Sequence, residues 1–369
     1  MKKRNGEIDV MRFLSAVMIV VYHYCDAYGS KNFNICRQGS VAVEFFFVVT
    51  GYLMAVNASK RGKAEGSELA DDTWHFVLNK IGSFYRYYIM AIFMQTVILY
   101  ILVRHTGCKD IIRGVLKGIP EFTLTSLAFG LKSKSILYLS GGGWYLSVMV
   151  VGSLFLYPIL RRYGDVAKKI IFPLLSMFLI GYIFNENGRL NFWDQWNGFF
   201  FLGMLRGIGE MALGASLYAL AEALSKRFDW LINSEKVFPK TCLTVMKFGC
   251  YVVFFAFGKG VDLGSNFALS ALLFVSLGIM LSFMNVGYTI KDSRFSKTLG
   301  KFSLGIFVFH GMFKSAAPKL IDVQPGENGK ILLLAGGTIV ICIVLYLVTD
   351  LLAAGFKKAM ESVRKKIES

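Results

Sequence analysis

Long apolar blocks recur along the chain at 9–28, 39–57, 87–104, 144–160, 170–185, 198–221, 241–258, 266–287, 302–318 and 330–355, separated by polar connections. Most of these blocks approach the ~20 residues that a helix needs to cross a hydrocarbon layer ~30 Å thick. In lipid the backbone must satisfy its own hydrogen bonds, and a continuous apolar block does so as a helix. The pattern predicts an all-α fold: a polytopic membrane helical bundle of about ten transmembrane helices. No hydrophilic stretch is long enough to fold by itself. Residues 1–369 therefore form a single membrane domain, ending in a short basic tail over 356–369.

Composition agrees, with 55% hydrophobic residues in 369. The formal charge of +17, from 41 basic and 24 acidic residues, would suggest nucleic acid in a soluble protein. Here the basic residues fall in alternate loops, so membrane topology explains them and no nucleic-acid partner is expected. Lys2, Lys3 and Arg4, then 58–80, 161–169, 226–240, 291–301 and the tail carry the charge. The positive-inside rule puts these segments and both termini in the cytoplasm. The first apolar run lacks a small-residue cleavage site and contains Arg12, so it is read as a retained helix rather than a signal peptide. The inner connection 58–80 is polar and is expected to be mobile.

Residues 105–143 resist the scheme. They hold Arg113, Lys117, Lys132 and Lys134 around the short apolar segment 122–131. That segment is too short to span comfortably, and is read as an interfacial or re-entrant element on the outer face. Of the six cysteines, none has zinc or redox spacing. Cys36 and Cys108 fall in expected outer loops, where no pairing between them is expected.

Chemistry concentrates in the first span. Arg12 and His23 interrupt an apolar helix, and ionisable groups there are costly enough to be functional candidates. At ~100° per residue, eleven residues bring both onto one face, ~16 Å apart along the axis. Glu44 lies as deep in the second span as His23 does in the first, which makes it the expected partner that orients the imidazole. His310 is placed near mid-membrane. Arg206 and Glu210, one helical turn apart, are placed at mid-depth and expected to pair. Asp350 is expected at the interface. No phosphate loop, metal cluster or serine elbow occurs, so the chemistry expected is proton transfer between bound substrates by scattered side chains.

These residues resemble motifs of the acyltransferase-3 family of integral membrane proteins. The first span is similar to its Asp-x-x-Arg…His pattern through Asp9, Arg12 and His23. Gly39–Leu53 resembles the family's phenylalanine-rich second helix, with Glu44 at an acidic position and Thr50 in place of serine. Leu299–His310 resembles the Leu-Gly-x-x-Ser…His element, and Leu205–Leu217 the Arg…Glu…Gly segment. There are departures. Lys80–Arg86 keeps basic charge without the usual Arg-x-x-Arg, and Trp144–Met149 lacks the glutamate of the Trp-Ser-Leu-x-x-Glu element.

The resemblance implies transfer of an acyl group, commonly acetyl from acetyl-CoA, to a hydroxyl of a sugar or cell-surface glycan, in the cell inner (cytoplasmic) membrane. No cofactor is expected to stay bound; acetyl-CoA is a donor substrate, and no metal is expected. On this reading His23, Glu44 and His310 are catalytic, with His23 as general base or as the group that takes the acyl itself. Arg12, Lys80 and Arg86 face the anionic donor. Arg12, Arg206, Glu210 and Trp144 contact substrate. The rival class is a transporter or flippase of an anionic or lipid-linked substrate, against which stands the lack of repeat halves or paired broken helices.

Overall fold

The computed structural model describes residues 5–28, 38–98, 118–125, 142–188, 195–198, 200–259, 267–324 and 327–368, together with residues 109, 112, 116 and 190. The fold is an all-α bundle. Its helices are α1 (Gly6–Ala27), α2 (Ala42–Arg61), α3 (Gly66–Val97), α4 (Ile119–Phe122), α5 (Gly143–Tyr163) and α6 (Phe172–Asn187). A two-residue hairpin, β1 (Trp196–Asn197) and β2 (Phe200–Phe201), leads into α7 (Leu202–Arg227) and α8 (Asp229–Ile232). Then follow α9 (Val237–Lys259), α10 (Phe267–Phe283), α11 (Arg294–Leu320) and α12 (Asn328–Glu368). Each apolar block of the sequence overlaps one of the long helices among the described residues. Six helical stretches among the described residues are long and apolar enough to cross a membrane. Cys36 and Cys108, for which no pairing is expected, lie outside the described residues.

Burial sorts the helices into centre and rim. In the apolar stretch of α2, 83% of residues are inside the protein, against 28% for α12. α12, α9 and α6 turn large apolar side chains outward, among them Leu333, Val340, Val252, Met177 and Phe178. Such faces suit a hydrocarbon solvent, in which backbone packing rather than the hydrophobic effect holds helices together. Small residues provide that packing where α2 crosses α7. Gly51 lies against the carbonyl of Met211 and Gly214 against that of Val48, so a methyl at either would drive the helices apart.

The turns at one end of the bundle are held by ions. The Asn5 side chain caps α1 by accepting from the amides of Glu7 and Ile8 at 3.0 and 3.3 Å. Lys247 of α9, fully buried, donates to Glu7 at 2.6 Å and to the carbonyls of Val286 and Tyr288, both at 2.9 Å. Gly6 is tight against the carbonyls of Ile290 and Lys291, where a side chain would not fit. The N-terminus, α9 and the 284–291 connection are thereby locked together.

A second clasp closes the connection from α2 to α3. Arg161 of α5 donates to Asp72 at 2.6 Å and to the carbonyl of Gly62. Its own carbonyl accepts from Ala64 at 3.1 Å. Tyr157 donates to Asn57 and Asp72 at 2.9 and 3.0 Å, and Lys168 reaches Ser59 at 3.0 Å. Basic segments that the charge pattern assigns to one side thus meet physically at one end.

This corrects the expectation that 58–80 is mobile. Gly62 turns the chain at φ +76°, as glycine does readily, and the rest belongs to α3, a helix of 32 residues. Its buried positions Thr73, Val77, Phe84, Tyr87, Tyr88 and Ala91 fall on one face, one or two turns apart. That is one packed stripe on an otherwise polar helix. Averaged hydropathy misses such a stripe.

The described residues 118–125 pack against α3 and α5. The carbonyls of Glu121 and Phe122 accept from Tyr88 and Tyr85 of α3 at 2.9 and 3.0 Å. Ser147 of α5 donates to the carbonyl of Leu124. α4 is therefore seated ~14–18 Å back along α3 from the end of that helix.

Candidate active site

α1 places Arg12 and His23 on one face, as the spacing requires. α11 lies alongside and brings His310 to His23. Their rings stack with centroids 5.2 Å apart and planes 15° from parallel. The Nδ1 of His310 lies 2.8 Å from the carbonyl of Phe307 and 3.1 Å from that of Ile306. Carbonyls only accept, so in the neutral ring Nδ1 carries the proton and Nε2 keeps its lone pair. That Nε2 is buried and has no partner among the described residues; the same holds for the Nδ1 of His23. The backbone thus fixes the tautomer of His310, a task the sequence reading gave to Glu44 for His23.

Glu44 faces elsewhere, which corrects that expectation. It shares a stripe of α2 with Val48 and Gly51, the residues packed on α7, and accepts from Arg206 at 2.9 Å. Arg206 also donates to Glu210 at 2.8 Å, and all three side chains are at most 2% exposed. Equal depth fixed the height of Glu44 but not its azimuth. A buried guanidinium is also a stronger partner for a carboxylate than a neutral imidazole. The Oε2 atoms of Glu44 and Glu210 remain without a partner among the described residues.

The position of this cluster along its helix also differs from what the apolar run implies. The apolar stretch before Leu202 is a hairpin, with Trp196 paired to Phe201. Arg206 and Glu210 therefore lie ~6 and ~12 Å from the start of α7, and not halfway along it.

Arg12 marks the other end of the α1 face. Its charge acts on Lys80 of α3 and on Tyr145 of α5. From Tyr145 a run of rings leads back to the histidines. Tyr145 lies 5.0 Å from Phe307, and Phe307 lies 6.0 Å from His310, centroid to centroid. Phe46 closes one side, 5.4 Å from Phe307, and Thr50 lies 3.4 Å from the Tyr145 hydroxyl. Trp144 belongs to this aromatic wall, edge-on to Phe47 at 6.1 Å.

Arg86 does not join Arg12 and Lys80. It is ion-paired to Asp350 of α12 at 2.6 Å, and Tyr87 donates to the same carboxylate at 2.6 Å. Its guanidinium ties α3 to the last helix.

Arg12 and His23 thus share one face of α1, and a run of packed rings from α5 and α11 leads toward the stacked histidines. A family model described as an acyltransferase domain matches residues 5–347, nearly the whole chain. The chain belongs to the acyltransferase-3 family. No curated protein and no solved structure matches it. The membrane acyltransferase carries no group of histidine, cysteine and acidic residues that could hold a metal among its described residues.

Three features of this acyltransferase went unnoticed in the sequence. Lys247 lies inside an apolar span and was open to the same rule that singled out Arg206. Tyr145 looks like any aromatic residue of a span; only its contacts distinguish it. Lys314 stands four residues after His310, a spacing that puts both on one face.

Proposed function

We propose that this acyltransferase moves an acetyl group from acetyl-CoA to a hydroxyl of a sugar or cell-surface glycan. The observation that carries the reading is the shared face of α1, with cations at one end and the histidine pair at the other. Arg12 and Lys80 suit the phosphates of an acyl-CoA, and the aromatic side chains between them and the histidines suit the apolar part of a pantetheine arm. The thioester then arrives beside His23 and His310.

A neutral imidazole nitrogen without a partner accepts the proton of the attacking hydroxyl. His310 has that nitrogen in Nε2, and the Nδ1 of His23 is likewise without a partner among the described residues. General-base assistance of this kind contributes ~10²–10⁴-fold. The charge pattern supports a cytoplasmic position for the ends clasped by Arg161 and Lys247, so the donor enters from the cytoplasm and the acceptor from the opposite face. On this reading the protein works in the cytoplasmic membrane.

The test is label transfer. Membranes containing the protein are incubated with acetyl-CoA labelled in the acetyl group, and cell-surface glycan is recovered. Label is expected in glycan with the wild type and not with His23→Ala. Equal labelling in both, with both proteins folded, would reject the assignment. Movement of an unmodified glycan across the membrane without acylation would favour a carrier instead.

A further inference from the structure

Acyl transfer needs a cation as well as a base. When a hydroxyl attacks a thioester, the carbonyl oxygen takes a full negative charge, and donors aimed at it supply a large share of the rate. In this site the backbone is a poor source of donors. Inside a helix each amide is committed to the carbonyl four residues earlier, and only the first turn has free N–H groups. His23 and His310 lie far from the first turns of their own helices, α1 and α11. A side-chain cation beside the two rings meets this need directly.

The buried cations among the described residues are committed, Lys168 to Asp165 and Ser59. Arg206 is held by Glu44 and Glu210, Lys247 by Glu7 and two carbonyls, and Arg161 by Asp72. Arg12 is ~16 Å away along α1.

Lys314 is different. It is half-buried one turn beyond His310, on the same face of α11. Its charge acts on both imidazoles. The acidic group that acts on it is Asp26, which is exposed and follows His23 by three residues on α1. No carboxylate among the described residues lies within ion-pair distance of it.

We propose that Lys314 is a catalytic residue whose ammonium pairs with the oxyanion of the tetrahedral intermediate. The assignment rests on the acetyl-CoA reading above. The hydroxyl oxygen bonds to the carbonyl carbon as its proton passes to an imidazole nitrogen of the histidine pair. The carbonyl π pair moves onto oxygen, and the oxyanion pairs with Lys314. Collapse re-forms the carbonyl and breaks the C–S bond. The departing thiolate takes the proton from the imidazolium, leaving an ester, free CoA and the histidines as they began. Lys314 stays protonated throughout.

Water serves as a second acceptor that separates oxyanion stabilisation from glycan binding. Purified full-length protein in detergent is given acetyl-CoA alone, and released thiol is followed; glycan labelling is measured in parallel in membranes. Lys314→Met is expected to lower both hydrolysis and transfer by about 100-fold or more, with binding of labelled acetyl-CoA within about twofold of wild type. Lys314→Arg, which keeps the charge, is expected to retain roughly a tenth or more of the rate. If Lys314→Met does not elute as a folded protein, Lys314→Gln is read in its place. Wild-type hydrolysis in the folded variant overturns the assignment. Lost transfer with hydrolysis intact also overturns it and makes Lys314 an acceptor-binding residue. If wild-type protein releases no more thiol than His23→Ala, the acetyl-CoA reading itself fails and the role of Lys314 with it.

Discussion

His23 and His310 come from opposite ends of the chain, yet their rings stack 5.2 Å apart at 15° from parallel. Each keeps a buried nitrogen with no partner among the described residues. A pair so arranged is expected to act as a unit. His23→Ala and His310→Ala should each lower turnover by about 10²–10⁴-fold. The double variant should be no slower than the worse single one, because residues that act together are not additive. Thiol release from acetyl-CoA measures this, and multiplied single effects would mean that the two rings work independently.

Donor binding should separate Arg12 and Lys80 from Arg86. Arg12→Ala and Lys80→Ala should raise KM for acetyl-CoA by about tenfold with kcat little changed, the pattern of lost uniform binding. Raising the salt concentration should shrink the difference from wild type. Arg86→Ala should leave KM where it was, because its guanidinium is taken by Asp350. A KM raised equally by all three would place Arg86 at the donor after all.

Stability should depend on Arg206 more than on either carboxylate beside it. Arg206→Leu strands two buried carboxylates, Glu44 and Glu210, and should cost about 3–5 kcal/mol. Glu44→Gln keeps an acceptor for the guanidinium and should cost less. Thermal unfolding in detergent compares them. Lost turnover in Glu44→Gln at unchanged stability would return Glu44 to the chemistry.

Acid should loosen the clasp at Asp72. Partial burial raises the pKa of this carboxyl, but hydrogen bonds from Arg161 and Tyr157 and the charges of Arg161 and Arg61 outweigh burial. They hold it below its ordinary 3.8. A carboxylate with a depressed folded pKa contributes stability that is complete above its unfolded value and lost as pH falls through the folded one. Asp72→Asn should therefore melt below wild type at pH 7, by the equivalent of about 1–3 kcal/mol. The two curves should converge in strong acid. A constant gap down to pH 2 would show that the carboxylate charge contributes nothing there.

The sequence by itself determined the class of this protein. Apolar blocks dictate helices because lipid offers the backbone no partner, and the family motifs lie in order along them. It also determined that Arg12 and His23 share a face, since the pitch of one helix is a local property. Periodicity held the polar half of α3 too, in the stripe from Thr73 to Ala91, although block hydropathy passed over it.

Only the tertiary structure decided which charges meet. Helix pitch gives the height of a residue, while the facing side is set by packing against other helices. Gly51 and Gly214 let α2 and α7 approach closely, and that approach gives Glu44 to Arg206. His23 is left to His310, whose tautomer is fixed by the Phe307 carbonyl. The hairpin before Leu202 puts Arg206 near the start of its helix, because an apolar run reads alike whether it forms strand or helix. Lys314 was visible as a residue throughout, but its lack of a nearby carboxylate among the described residues is a property of the packed bundle and exists only in three dimensions.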